Sequence, residues 1–312
     1  MPVYVIDKPL GITSHDAVRE SRKLLNTRRV GHAGTLDPLA TGVLVLLTHE
    51  STKLSPFLSE SDKTYLAWVS FGAGTAALDS EGPIVARGNA RELRRSDIEA
   101  ALPRFRDLKE QLPPAYSAVK KGGTRGYEAA RRGESLQLEP RPVRYRDITL
   151  LDYAPSRDLL PTAFRLSEGG RWRPDPSGKR VALPPPHGAL PTALFELTVA
   201  AGTYVRAFAR DLGSAVGVPA HLSGLVRTRS GRLGLERAVG LAELPDTTGL
   251  KAADALDCPK VVLSEREVER VRQGQRLALG GEGRVVLVSA SNELIAVAEV
   301  TDGRMKLLRV WR

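Results

Sequence analysis

Apolar and polar positions change period several times along the chain, and each change predicts an element. The opening "VYVIDKPLGITSHDAVRESRKLL" reads strand, turn, helix. Val3 to Ile6 is a short apolar β run, and Pro9 and Gly11 break it. Thr13 and Asp16 stand at capping-box spacing, and Ala17, Val18, Ser21, Leu24 and Leu25 form one helical face. The stretch "GHAGTLDPLATGVL", Gly31 to Leu44, reads as a loop running into the apolar "GVLVLLT". "TYLAWVSFG" alternates like a strand, and "SDIEAALPRF" is a capped short helix stopped by Pro103. "TALFELTVAAGTYVRAFARDLGSAVG" predicts a strand, a tight turn at Gly202 and a helix ending at Gly217.

The tail has its own pattern. "SEREVERVRQG" predicts a helix with Ser264 and Glu267 as capping box and Gly274 as its stop. Three β runs follow, Arg284–Ala290, Leu294–Val300 and Met305–Trp311, with turns at Ser291–Asn292 and Asp302–Gly303. A boundary is expected near Thr248–Gly249, giving units 1–248 and 249–312, the second a small β module. Residues 154–191, rich in Pro, Gly and Arg, read as a long inserted loop and not as a core element.

Composition narrows the class. A chain of 312 residues with 42% apolar content is folded and long enough for a large core plus a smaller module. Lys plus Arg is 46 against 36 for Asp plus Glu, net +10, which favours a polyanionic partner. Arg outnumbers Lys 35 to 11. Both bidentate phosphate recognition and a GC-rich genome produce that bias. Residues 87–146 hold 15 basic and 8 acidic side chains, +7 of the net charge, interrupted by Gly and Pro. They read as a mobile basic flap, with a solvated surface loop as the bland reading. The single cysteine, Cys258, excludes a disulfide framework and a Cys-based zinc site. No signal peptide or long apolar run is evident, so a soluble, reducing, cytoplasmic protein is expected.

Several chemistries fail on their own terms. "FGAGTA" matches a dinucleotide fingerprint, but Gly82 and Pro83 interrupt the helix that must follow. No P-loop and no G-x-S-x-G occur. Histidines 15, 32, 49, 187 and 221 are scattered without metal-ligand spacing. Taken singly, Asp37 before Pro38 is a turn residue. Likewise His32 is a loop residue, Tyr65 and Tyr204 are strand packing residues, Arg206 is a surface charge and Lys8 a turn lysine.

Together they match a family. The segments "DKPLGITSHDAV", "GHAGTLDPLATGVL", "KTYLAWVSFG", "PPAYSAVKKGGTRGYEAAR", "GTYVRAFARDLG" and "AHLSGLVRTRSG" occur in the order of the TruB family of tRNA pseudouridine synthases, which the chain resembles over nearly its full length. The resemblance implies an α+β fold, with a mixed or antiparallel sheet and flanking helices, plus a C-terminal β-barrel-like PUA module that binds RNA. It implies an isomerase that detaches the T-loop uridine of tRNA from C1′, turns it and rejoins it through C5. Asp37 is then the catalytic acid, as nucleophile at C1′ or as base toward the ribose. Arg206 pairs with it, and Tyr65 lies beside the uracil. Tyr204 and Leu225 wall the base pocket, His32 contacts displaced bases, and Lys8 lies near the site. Segment 114–146 resembles the family's mobile thumb, with Lys120, Lys121, Arg131 and Arg132 as candidates for the RNA backbone. No metal or organic cofactor is implied. The expected partner is the T-arm of tRNA, with no membrane and no obligate protein partner, the chain acting as a monomer.

Three departures stand out. The family's acidic T-D-T is "TAA" at Thr75–Ala77, its C-S-K is "VAA" at Val199–Ala201, and Val226 replaces an Arg. Two rivals share much of the pattern: a non-catalytic RNA-binding protein, and a guide-RNA-dependent pseudouridine synthase. Asp37 argues against the first, because a pure binder gains nothing from an acid facing phosphates. The thumb-like "KKGGTRGYEAAR" argues against the second.

Overall fold

The computed structural model describes residues 1–116 and 138–311, together with the backbone pairing of Lys120–Lys121 against Thr124–Arg125. A mixed nine-stranded sheet organises the chain. Its order is Tyr145–Ala154, Thr192–Val199, Lys63–Phe71, Ala220–Ser230, Ala40–Thr48, Pro2–Lys8 and Leu250–Lys251. Leu233–Gly234 and Val30–Ala33 add to its inner strands. Ala40–Thr48 and Ala220–Ser230 pair in parallel, and the other pairs are antiparallel.

The central strands are buried on both faces, which explains why "ATGVLVLLT" is apolar without a polar alternate. On one face Leu44, Leu46, Ala67, Val69 and Phe71 meet Ala17 and Val18 of helix Ser14–Leu24, and Phe208 and Leu212 of helix Val205–Ala215. On the other, Val43, Val45, Leu47, Leu66 and Trp68 are covered by later parts of the chain. Both expected capping boxes are present: Thr13 with Asp16, and Ser264 with Glu267. Pro103 ends helix Arg95–Ala101 as expected, and it also opens a further short turn, Pro103–Arg106.

The segment 154–191 is not a loop. It folds as a three-stranded sheet of Ala163–Leu166, Trp172–Pro174 and Lys179–Arg180. Phe164 is fully buried and meets Trp68 edge-on, with ring centroids 5.8 Å apart. Lys179 pairs with Asp7 at 2.8 Å, and the buried Arg157 donates to Ser223 O at 2.7 Å. Strands of two to four residues are too short to print a period-2 pattern between prolines and glycines. The sequence therefore conceals them.

The tail forms a four-stranded sheet, Lys260–Val262, Gly283–Val288, Leu294–Thr301 and Arg304–Val310. Helix Glu265–Arg272 packs on it through Val271. Val286, Val288, Leu294, Val297 and Trp311 of the tail belong to the same apolar cluster as Trp68, and Trp311 Nε1 donates to Glu50 O at 3.0 Å. Gly249 is followed by Leu250–Lys251, which still pairs with Pro2 and Val3 of the large sheet, so the chain leaves that sheet only after this pair. Among the described residues, no helix is long and apolar enough to cross a membrane.

Phe164→Ala tests the reassignment of 154–191. Truncating a fully buried aromatic core residue should cost ~3–5 kcal/mol in chemical denaturation. A loss below about 1 kcal/mol, the range of surface changes, would return the segment to the status of a loop.

Candidate active site

Asp37 lies in the loop between Val30–Ala33 and Ala40–Thr48. The backbone around it is pinned residue by residue. Ser14 Oγ donates to Leu36 O at 3.0 Å and accepts from Leu36 N at 2.8 Å. Gly11 N donates to Pro38 O, and Ala40 N to Asp37 O. Leu36 and Leu39, on either side of Asp37, pack into the same apolar cluster as Tyr65, Val205 and Leu225. The acid therefore stands on a rigid loop, with its side chain 41% exposed.

Arg206 projects from the second position of helix Val205–Ala215 and is 9% exposed. Its Nε lies 3.0 Å from Asp37 Oδ2, and its Nη1 lies 3.4 Å from Asp79 Oδ2. The same guanidinium donates to Ala77 O at 3.1 Å and to Tyr116 O at 2.8 Å. Thus the cation is fixed from several directions while Asp37 keeps an open side.

Asp79 is the residue that sequence reasoning missed. Three positions after Ala76, it brings a carboxylate only 3% exposed to the Arg206 guanidinium. Burial raises its pKa above the ordinary carboxylate value, opposed by the Arg206 charge and by the Glu81 N–H, which donates to Oδ1. Glu81 is likewise raised, first by desolvation and then by Asp79 and Asp37. Three acids thus converge around one arginine. The turn-forming "LDSEG" was the available signal, since an Asp two residues before a backbone N–H folds readily as an Asx turn.

The other expected residues take distinct places. Tyr65 is nearly buried on Lys63–Phe71, and Leu225 is the register partner of both Ala40 and Ala67. Tyr204 caps the Arg206 helix, and its backbone N–H donates to Gln111 Oε1 at 3.0 Å. Lys8 is fully buried, its Nζ donating to Pro9 O at 2.9 Å and Ile12 O at 2.7 Å. Burial lowers its pKa to about 8, against the pull of Glu81 and Asp37. His32 packs edge-on against His15 with ring centroids 5.6 Å apart. Its pKa falls to about 4 through burial, then the charges of His15 and Arg227, so its ring is neutral at pH 7. His32 packs with His15 and Lys8 bonds to carbonyls, so the direct ion-paired group is Asp37, Arg206 and Asp79.

The side chains of Lys120 and Lys121, and all of Arg131 and Arg132, lie outside the described residues. Among the described residues, no group of three or more His, Cys, Asp or Glu is arranged to hold a metal ion.

Comparison with known proteins places the chain in a family. The family described as TruB family pseudouridylate synthase (N terminal domain) matches residues 22–169. The chain is 54% identical to tRNA pseudouridine synthase B of Thermus thermophilus, covering 100% of this chain and 99% of that one. It is 45% identical to the Deinococcus radiodurans protein of the same name, covering 100% of both. Among solved structures, one described as a Cbf5-Nop10-Gar1 complex superposes with a TM-score of 0.69 at 23% identity, covering 99% of this chain and 84% of that one. That likeness shows a shared fold. On the full-length identity to curated relatives, this chain belongs to the TruB family of pseudouridine synthases, enzymes of the isomerase class.

Proposed function

We propose that the protein converts the T-loop uridine of tRNA to pseudouridine, with Asp37 as the reacting carboxylate. The observation that carries this reading is the half-exposed Asp37 held at 3.0 Å by a buried Arg206. An ordinary carboxylate is ionised at neutral pH and can attack or deprotonate. The guanidinium fixes its orientation through a charge-assisted hydrogen bond. One Asp37 oxygen faces Arg206, and the open side of the group is available to the ribose.

The reaction is intramolecular. The N-glycosidic bond breaks, the uracil turns within the pocket, and a bond forms from C5 to C1′. The C5 proton then leaves, and N1 is protonated. Asp37 serves either as nucleophile at C1′ or as base toward the ribose. Tyr65 offers a ring for the detached base and a hydroxyl for proton traffic at C5. Tyr204 and Leu225 complete the walls. The target uridine must leave its stack, at a cost of a few kcal/mol, which aromatic and backbone contacts offset.

The names of the relatives support tRNA as substrate, since proteins 45–54% identical over the full length are called tRNA pseudouridine synthase B. The chain's net charge of +10 suits a polyanion. The small C-terminal sheet is read as a PUA-like RNA-binding module. A guide-RNA-dependent reading rests on fold likeness at 21–23% identity, which carries the fold alone.

Asp37→Asn should fold and bind tRNA transcript with affinity close to wild type. Pseudouridine yield in a single turnover should fall at least ~1,000-fold, equivalent to about 4 kcal/mol. Yield near wild type would remove Asp37 from the chemistry. Arg206→Ala should lose rate, and Arg206→Lys should recover only part of it, because lysine lacks the planar fork. Full activity of Arg206→Ala at saturating enzyme would contradict the pairing.

Asp79 sets an acid limb. Its pKa is raised, so it takes up a proton at higher pH than an ordinary aspartate as the solution is acidified. Loss of that charge loosens Arg206, and the single-turnover rate should fall in mildly acidic solution. Asp79→Asn should lower the rate at neutral pH and flatten that limb. An unchanged profile in Asp79→Asn would exclude this role.

A further inference from the structure

Arg227 lies on strand Ala220–Ser230 and is 1% exposed. Its Nε donates to Val43 O at 2.7 Å, its Nη2 to Gly34 O at 2.8 Å and its Nη1 to Thr35 O at 3.3 Å. One guanidinium therefore grips the backbone on both sides of Asp37, at residues 34–35 and at residue 43. Among the described residues it forms no ion pair, and its side-chain hydrogen bonds are to backbone carbonyls. A buried cation of this kind is expensive, and an apolar side chain of similar volume would often pack there at no loss of stability. Fold stability alone is thus a poor reason for an arginine here, whereas three carbonyls met by one rigid fork is a task few side chains can perform.

The backbone around it is fitted to the same contact. Gly42, the register partner of Arg227, has φ +93, and a Cβ there would sit 2.3 Å from Arg227 O. Gly34, at φ +82, lies against the guanidinium, where a Cβ would be 3.5 Å from Nη1. The strand bearing Arg227 also packs closely under the helix bearing Arg206, since a Cβ on Gly213 would be 2.7 Å from Ala220 Cβ. Loop, strand and helix are thereby one mechanical unit. The loop carries Asp37, the helix carries Arg206, and one strand meets both, gripping the loop through Arg227 and packing on the helix at Ala220.

We infer that Arg227 is a positioning residue for the isomerisation, holding the Asp37 loop in register with Arg206. It touches neither substrate nor reacting atoms. The inference rests on the reading of Asp37 as the reacting carboxylate. An oriented group displaced by about 1 Å can lose on the order of 100-fold in rate, so the clamp acts on rate more than on affinity.

The test uses full-length Arg227→Lys and Arg227→Gln with unmodified tRNA transcript, and Asp37→Asn alongside. Thermal unfolding, tRNA Kd and single-turnover rate at saturating enzyme are measured for each. The expected result is a rate at least ~100-fold lower in both variants, with Kd within about threefold and a cooperative unfolding transition retained. The decisive readout is a double-mutant cycle with Arg206→Lys. If Arg227 works by seating Asp37 on Arg206, Arg227→Lys should cost much less rate in the Arg206→Lys background than in wild type. Additive losses, a wild-type rate in Arg227→Lys, or loss of the fold in both variants would overturn the proposal. Activity in Asp37→Asn would instead overturn the reading of Asp37, and the two failures are distinguishable.

Discussion

The structure turns on one buried guanidinium shared between two carboxylates. Arg206 sits in the first turn of helix Val205–Ala215, where the helix dipole presents its positive end and disfavours a cation. Asp37 and Asp79 reverse that penalty, and the carbonyls of Ala77 and Tyr116 accept from Nη1 and Nη2. Asp37 thus meets both the Arg206 guanidinium and the helix terminus that carries it. Two acids around one cation leave the group with a net negative charge. The buried acid, Asp79, is the one shifted toward protonation, and the half-exposed acid is the one presented to solvent.

The sheet places this group by a single topological choice. Ala40–Thr48 and Ala220–Ser230 run parallel, so the loop before the first strand and the helix before the second emerge at the same end. Antiparallel pairing throughout would have separated them by the length of the strands. The parallel contact is short, three register pairs from Leu225–Ala40 to Arg227–Gly42, and it needs a glycine at position 42 for the backbones to approach. Asp7 Oδ1 accepts from Gly42 N at 3.1 Å while Asp7 Oδ2 meets Lys179. The three-stranded insertion is thus tied, through one carboxylate, to the strand that follows the Asp37 loop.

Much of this was legible in the sequence, and the illegible parts share a cause. Capping boxes at Thr13 and Ser264, the Gly202 turn and the long apolar strands are local or periodic signals, and they appear where expected. The Asp37–Arg206 pair was legible through motif resemblance, although nothing local joins residues so far apart. Asp79 was not, because its place beside Arg206 depends on where that helix comes to rest. Arg227 is one of two arginines in "VRTRSG", and nothing local marks it as buried, because its partners are carbonyls that any sequence has. The pair Leu250–Lys251 is too short for any pattern, so its return to the large sheet could not be read.

A further regularity follows from the buried cations. Lys8, Lys63 and Arg227 are all at most 6% exposed, and each donates to main-chain carbonyls. Burial brings Lys8 and Lys63 down to about 8, and the Arg227 charge acts on both in the same direction. The unfolded chain still holds those protons up to the ordinary lysine value of 10.5. Between about 8 and 10.5 the unfolded state therefore binds more protons, and stability from these two groups rises with pH. At neutral pH both are protonated in the fold and oppose it. The arrangement is intelligible as a local sacrifice of stability around the Asp37 loop. Carbonyl groups that turn away from the sheet, at Pro9 and Ile12, at Ser59 and Ser61 and at Gly34 and Thr35, need donors, and cations supply the strongest ones. Of these cations, Lys8 also feels the negative charge of Glu81 and Asp37, which opposes the lowering of its pKa.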